Sequence, residues 1–121
     1  MKKKHYVDNK RFQELLEKWF NEKDRYSFNE IGKIFLQITS NILQKPGFMN
    51  YSKDYKDEMT SDATYYMVRY IKSYDITRGN PFAYFSEIAF KTFTHYLGAI
   101  NRRNQKIISL SFIEEMAREN E

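Results

Sequence analysis

Apolar residues recur along most of this chain at three- and four-residue steps, the period of an amphipathic helix. Phe12, Leu15, Leu16, Trp19 and Phe20 mark a first helix from about Asp8 to Glu22. Lys23-Asp24-Arg25 reads as a charged connector. Ser27-Phe28-Asn29-Glu30 has the form of a capping box, in which a serine accepts from the first turn and a glutamate reaches back. The stripe Ile31, Ile34, Phe35, Ile38, Ile42 and Leu43 follows and stops at Pro46-Gly47. A third helix is predicted from near Tyr51-Ser52-Lys53-Asp54 to Tyr74, with acids early and cations late, the order that suits a helix dipole. Asp75-Ile76-Thr77-Arg78-Gly79 is a turn, and Asn80-Pro81 opens a fourth helix that runs to about Lys106. The expected fold is all-α, a compact bundle of about four helices (residues 1–106) with a short C-terminal tail (107–121).

Composition sharpens this picture. At 121 residues the chain fits one domain with a single modest core. Cysteine is absent, so no disulfide, thiolate metal site or cysteine nucleophile is available. His5 and His95 are far apart in sequence, without the carboxylate spacing of a metal site, and no metal or cofactor is expected. Met1-Lys2-Lys3-Lys4 is not followed by an apolar stretch, so neither a signal peptide nor a membrane span is expected. A reducing, intracellular setting fits these features. The formal charge of +4 is a mild basic excess that says little alone. Ten Phe and ten Tyr exceed what a small core comfortably buries, so some should work at a surface.

Three stretches could carry function. On the fourth helix, Phe82, Phe85, Ala89, Phe93, Tyr96 and Ile100 have core spacing, while Tyr84, Ile88, Phe90 and Leu97 fall on other faces. A helix apolar most of the way round is central to its bundle or touches something apolar outside it. Lys91, His95, Arg102, Arg103 and Lys106 on the same helix add cations to the aromatics, the combination that holds unstacked bases beside phosphates. On the third helix, Asp57, Glu58 and Asp62 form either a solvated acidic face or a docking surface for a basic protein. The tail is apolar and then acidic: Leu110, Phe112 and Ile113, then Glu114 and Glu115. It reads either as a short helix folded back on the bundle or as a peptide that plugs a pocket on another protein. No catalytic constellation is evident, and an enzyme is the class that fits least.

The segment from Asp57 to Lys106 resembles the second conserved region of bacterial sigma factors. The resemblance rests on the turn Tyr74-Asp75-Ile76-Thr77-Arg78-Gly79-Asn80-Pro81-Phe82, which has the form aromatic-acid-x-x-Arg-Gly-x-x-Phe. Asn80-Pro81-Phe82-Ala83-Tyr84, the small size and the apolar-acidic C-terminus look most like the late-transcription sigma factors of T-even-like phages. The resemblance implies a non-enzymatic initiation factor in the cytoplasm of a bacterial host. Its partners would be the clamp helices of the largest RNA polymerase subunit, promoter DNA including unpaired strand, a phage sliding clamp, and in some settings a co-activator.

Residue by residue, the resemblance places Glu58, Ser61, Asp62 and Thr64 against polymerase. It places Phe82 and Phe85 against unpaired bases, Lys91 beside the DNA backbone, and Thr92 and His95 at duplex bases. Arg78, Arg102 and Arg103 would add phosphate contacts. Two tryptophans that open the duplex in the family are replaced by Ile88-Ala89, leaving Ile88 as an aliphatic wedge. These 121 residues leave no room for the family's C-terminal helix-turn-helix. DNA affinity should then be low, and a tail bound to a clamp would restore local concentration. Leu110, Phe112, Ile113, Glu114 and Glu115 would make that contact. The rival expectation is a helical polymerase-binding adaptor whose aromatics are all core.

Overall fold

A helix needs acceptors for the free amides of its first turn, and this sequence supplies one at each start that the caps describe. The computed structural model describes residues 7–119, and their side chains except those of 105–115 and 118–119. It contains α1 (Asn9–Glu22), α2 (Arg25–Leu43), α3 (Lys53–Arg69) and α4 (Pro81–Glu119), with 3-10 turns at Ile71–Ser73 and Ile76–Arg78. No strand occurs among the described residues. Asp8 caps α1 by accepting from the amides of Lys10 and Arg11, and Ser52 caps α3 by accepting from Tyr55.

The start of α2 differs from the capping-box expectation. Asp24 is the cap, accepting from the Ser27 amide at 3.0 Å, so the helix begins at Arg25 and Ser27 lies buried one turn inside it. Bonding to that amide holds the Asp24 carboxyl below its ordinary range. Glu30 does not reach back along its own helix. It accepts from Arg11 at 3.2 Å and Lys33 at 3.0 Å, tying α2 to α1. The connector between them is two residues long, and Lys23 takes a left-handed φ of 54° to close it. Its ammonium lies 4.4 Å from the Trp19 ring, a cation–π contact that offsets part of the cost of that conformation.

One aromatic-centred core joins all four helices. Phe12 and Leu16 of α1 meet Ile31, Phe35 and Ile38 of α2, with Met59, Ala63 and Met67 from α3. From α4 come Phe85, Ala89 and Phe93. Each fully buried large side chain contributes about 1.5–3 kcal/mol relative to exposure. The turn before α4 is pinned from α1: Gln13 donates to the Ile76 carbonyl at 2.7 Å and accepts from the Tyr74 hydroxyl at 3.0 Å. Gly79 takes the expected positive φ, 72°. Asn80 accepts from the Ala83 amide at 3.3 Å, and Asn9 reaches across from α1 to accept from the Phe82 amide at 3.0 Å.

The fourth helix is longer than its sequence pattern predicts. It does not end near Lys106 but continues unbroken to Glu119, so no change of secondary structure separates bundle from tail at that point. The alternative of a separate short helix folding back after a break is therefore overturned. Of the proposed clamp-binding residues, Leu110, Phe112, Ile113, Glu114 and Glu115, the helical backbone is described and the side chains lie outside the described residues.

Candidate nucleic-acid interface

Two hydrogen bonds set α3 and α4 antiparallel. The Tyr96 hydroxyl donates to the Glu58 carboxylate at one end, and the Tyr84 hydroxyl donates to the Tyr70 carbonyl at 3.4 Å near the other. Between them runs an open groove of about 860 Å³. Its α4 wall carries Ile88, Lys91, Thr92, His95 and Tyr96; its α3 wall carries Asp62, Tyr65, Tyr66 and Tyr70. Four of the residues expected on DNA thus converge on one surface, because positions 88, 91, 92 and 95 fall along one flank of a helix. Lys91 is exposed and pairs with Glu87 at 3.1 Å, a surface pair that solvent screens and that opens at little cost. The Thr92 hydroxyl donates to the Ile88 carbonyl at 2.8 Å and keeps its lone pairs for another donor. His95 is exposed.

Phe85 is a correction. It was expected against unpaired bases, but it is fully buried. Its ring centroid lies 4.9 Å from Phe35, 5.6 Å from Phe12, 5.7 Å from Tyr74 and 4.9 Å from Tyr84. Helical phase explains this. Positions 85, 89 and 93 form the inward edge of α4, and the groove-lining positions lie to one side of it. Phe82 falls on the other side. It is 40% exposed and lines a second groove, between α2 and α4, with Ile42 and the 49% exposed Phe90. Ile88 is only half-buried, so part of its side chain reaches the first groove, whereas its neighbour Ala89 is buried. Arg78, Arg102 and Arg103 are exposed outside the α3–α4 groove.

The residues expected on polymerase lie on the outer side of α3. Glu58, Ser61 and Asp62 are exposed, together with Asp54 and Asp57. Thr64 is half-buried, and with Ser61 and Asp57 it lines a shallow groove facing Leu36 of α2. Asp57 pairs with Lys53 at 2.8 Å on the surface. Asp62 lines both the acidic face and the α3–α4 groove, so the two expected surfaces share an edge.

Sequence reasoning missed Tyr65, Tyr66 and Tyr70 as surface residues. They are 58%, 40% and 41% exposed. The Tyr66 and Tyr70 rings lie within 18° of parallel with centroids 6.4 Å apart. Spacing flags only Tyr65: Tyr66 and Tyr70 stand three residues after Ala63 and Met67, at the step of the core stripe itself, so no local pattern marks them as exposed.

Tyr96 has an electrostatic signature that can be read out. Its bond to Glu58, with burial second, pushes its pKa up from 10.0 to about 12. Because the native state favours the protonated phenol, this stabilisation is fully present below pH 10 and is lost as pH rises towards 12. A spectrophotometric titration should therefore show a late tyrosine step that disappears in Tyr96→Phe and moves to lower pH in Glu58→Gln. A late step unchanged in both variants would show that the bond is absent.

Among the described residues no group of three or more metal-ligating side chains gathers, and no helix is long and apolar enough to cross a membrane. Compared with protein families and with curated proteins, the chain matches no family model and no curated sequence.

Proposed function

We propose that this chain is a minimal, non-catalytic initiation specificity factor, a late-transcription sigma factor of a phage acting in the bacterial cytoplasm. It binds host core RNA polymerase through the acidic outer face of α3, at Glu58, Ser61 and Asp62. It sets an AT-rich upstream promoter element against α4, where easily opened steps suit an aliphatic wedge at Ile88. The C-terminal segment couples it to a sliding clamp. The observation that carries this reading is the convergence of Ile88, Lys91, Thr92 and His95 on one open groove whose rim is the acidic face of α3. Aliphatic, cationic and hydrogen-bonding groups share that surface, the kinds of group that a duplex edge, a phosphate and a base each call for.

The test mixes the protein with bacterial core polymerase and a promoter-bearing template, with and without a loaded clamp, and maps transcript starts. Protein-dependent starts at discrete AT-rich sites, increased by the clamp, are expected. Starts unchanged by the protein would overturn the proposal.

A polymerase-binding adaptor without base contacts is the second reading. Two observations favour it: Phe85 is buried, and Phe82 lies across the helix from Lys91 and His95. Photo-crosslinking from bases of the upstream element separates the two readings. Crosslinks to α4 support the first, and crosslinks confined to polymerase support the second.

A further inference from the structure

Three tyrosines on an exposed helix face call for a physical reason, because a phenol ring in water gains nothing from exposure. Tyr66 of α3 and Tyr70, the residue that caps its C-terminus, stand one turn apart with rings within 18° of parallel and centroids 6.4 Å apart, and both line the groove between α3 and α4. Tyr65 packs edge-on against Tyr66, with centroids 5.2 Å apart at 76°, and its hydroxyl accepts from Arg69 at 3.3 Å. These contacts hold the wall in place before any ligand arrives. Across the groove stands Ile88, an aliphatic group facing the rings.

Charge at this end of the groove selects the ligand. Arg69, which donates to Tyr65 of the groove wall, and Lys72, two residues past Tyr70, are exposed, whereas Lys91 of the facing helix stands nearer Asp62 and pairs with Glu87. Asp62 lies one turn before Tyr66, towards the end closed by the Tyr96–Glu58 bond. A flat ring system joined to an anion fits the aromatic and cationic end, with its negative charge directed away from Asp62.

We propose that Tyr66 and Tyr70 form a stacking platform for an unpaired base of single-stranded DNA. The adjoining phosphates are held by Arg69 and Lys72. The site lies on α3, on the opposite wall from the residues expected to read DNA, and it deepens the promoter-binding reading on which it rests. Base–aromatic stacking is worth about 1–3 kcal/mol per base, and the lower figure corresponds to about fivefold in affinity.

The test uses the whole chain without polymerase and a single-stranded deoxyoligonucleotide of about a dozen residues carrying 2-aminopurine. Binding at low salt should quench the 2-aminopurine fluorescence. Tyr66→Leu and Tyr70→Leu should each weaken binding at least about fivefold. Tyr66→Phe and Tyr70→Phe keep the rings and should keep the affinity. Tyr26→Leu, at a 60% exposed tyrosine of α2, should change nothing. The inference is overturned if the wild-type protein neither binds nor quenches, if the leucine variants bind as well as wild type, or if they lose duplex binding equally. Leucine variants with lowered melting temperatures leave the decision to the phenylalanine variants and the wild-type quench. Start-site mapping separates this failure from that of the proposed function. Normal starts with unaffected leucine variants remove only the platform, whereas oligonucleotide stacking without polymerase-dependent starts removes only the transcription role.

Discussion

Phe85→Ala should lower the unfolding free energy by about 3–5 kcal/mol, the usual cost of removing a buried phenylalanine ring. The ring sits where α1, α2, α4 and the turn before α4 meet, through Phe12, Phe35, Tyr84 and Tyr74. Its loss leaves a cavity lined by other rings, which are too stiff to close over it. Small domains have only about 5–15 kcal/mol in total, so this single change should bring the fold near its threshold. Chemical denaturation with a matched slope is the measurement. A change under about 1 kcal/mol would mean that the ring is not central. One corollary concerns function: lost promoter opening in Phe85→Ala would report an unfolded protein, not a missing base contact.

Asp62→Lys is expected to weaken binding to core polymerase by about a hundredfold or more, since placing like charges together across an interface costs several kcal/mol. Asp62 is preferred to Glu58 for this test. Reversing Glu58 also breaks the bond to Tyr96 and loosens α3 from α4, whereas Asp62 is exposed and lies outside the core. The variant's melting temperature should match wild type. Its affinity for single-stranded DNA should hold or rise, because the groove gains a cation. Pull-down or interference-based binding to purified core enzyme decides it, and undiminished binding would remove the acidic face of α3 from the docking surface.

The bundle was legible because its apolar stripes are strong and its punctuation is explicit. Asp8, Ser52, Gly79 and Asn80 each do locally what their residue types favour. The start of α2 was misread because two capping signals stand three residues apart. Asp24 won, since its cap starts α2 directly after the left-handed Lys23 that closes α1 and leaves Ser27 buried in the core. The candidate site was half legible. Ile88, Lys91, Thr92 and His95 share a flank through helical phase alone, which spacing reveals. Phe85 and Phe82 were misgrouped because aromatic character does not say which edge of a helix faces inward; only the partners Phe12, Phe35 and Tyr74 settle it. The α3 wall was missed because Tyr66 and Tyr70 keep the step of the core stripe, and the groove that leaves them open is made between two helices, which no local pattern on α3 records.

The unbroken α4 has a mechanical consequence. Asn101, Arg102, Arg103 and Asn104 are all exposed, and four successive residues sample the full circumference, so the rod stands clear of the core at that level. From Pro81 to Glu119 it spans roughly 58 Å at 1.5 Å per residue. Its far end is therefore geared to the bundle: deleting one residue past Asn104 swings everything beyond by about 100° while shortening the rod by only about 1.5 Å. Adding seven residues nearly restores the original bearing and moves the end outward by about 10 Å. Angle and reach of the last turns can thus be altered separately, as with the pitch and length of a screw.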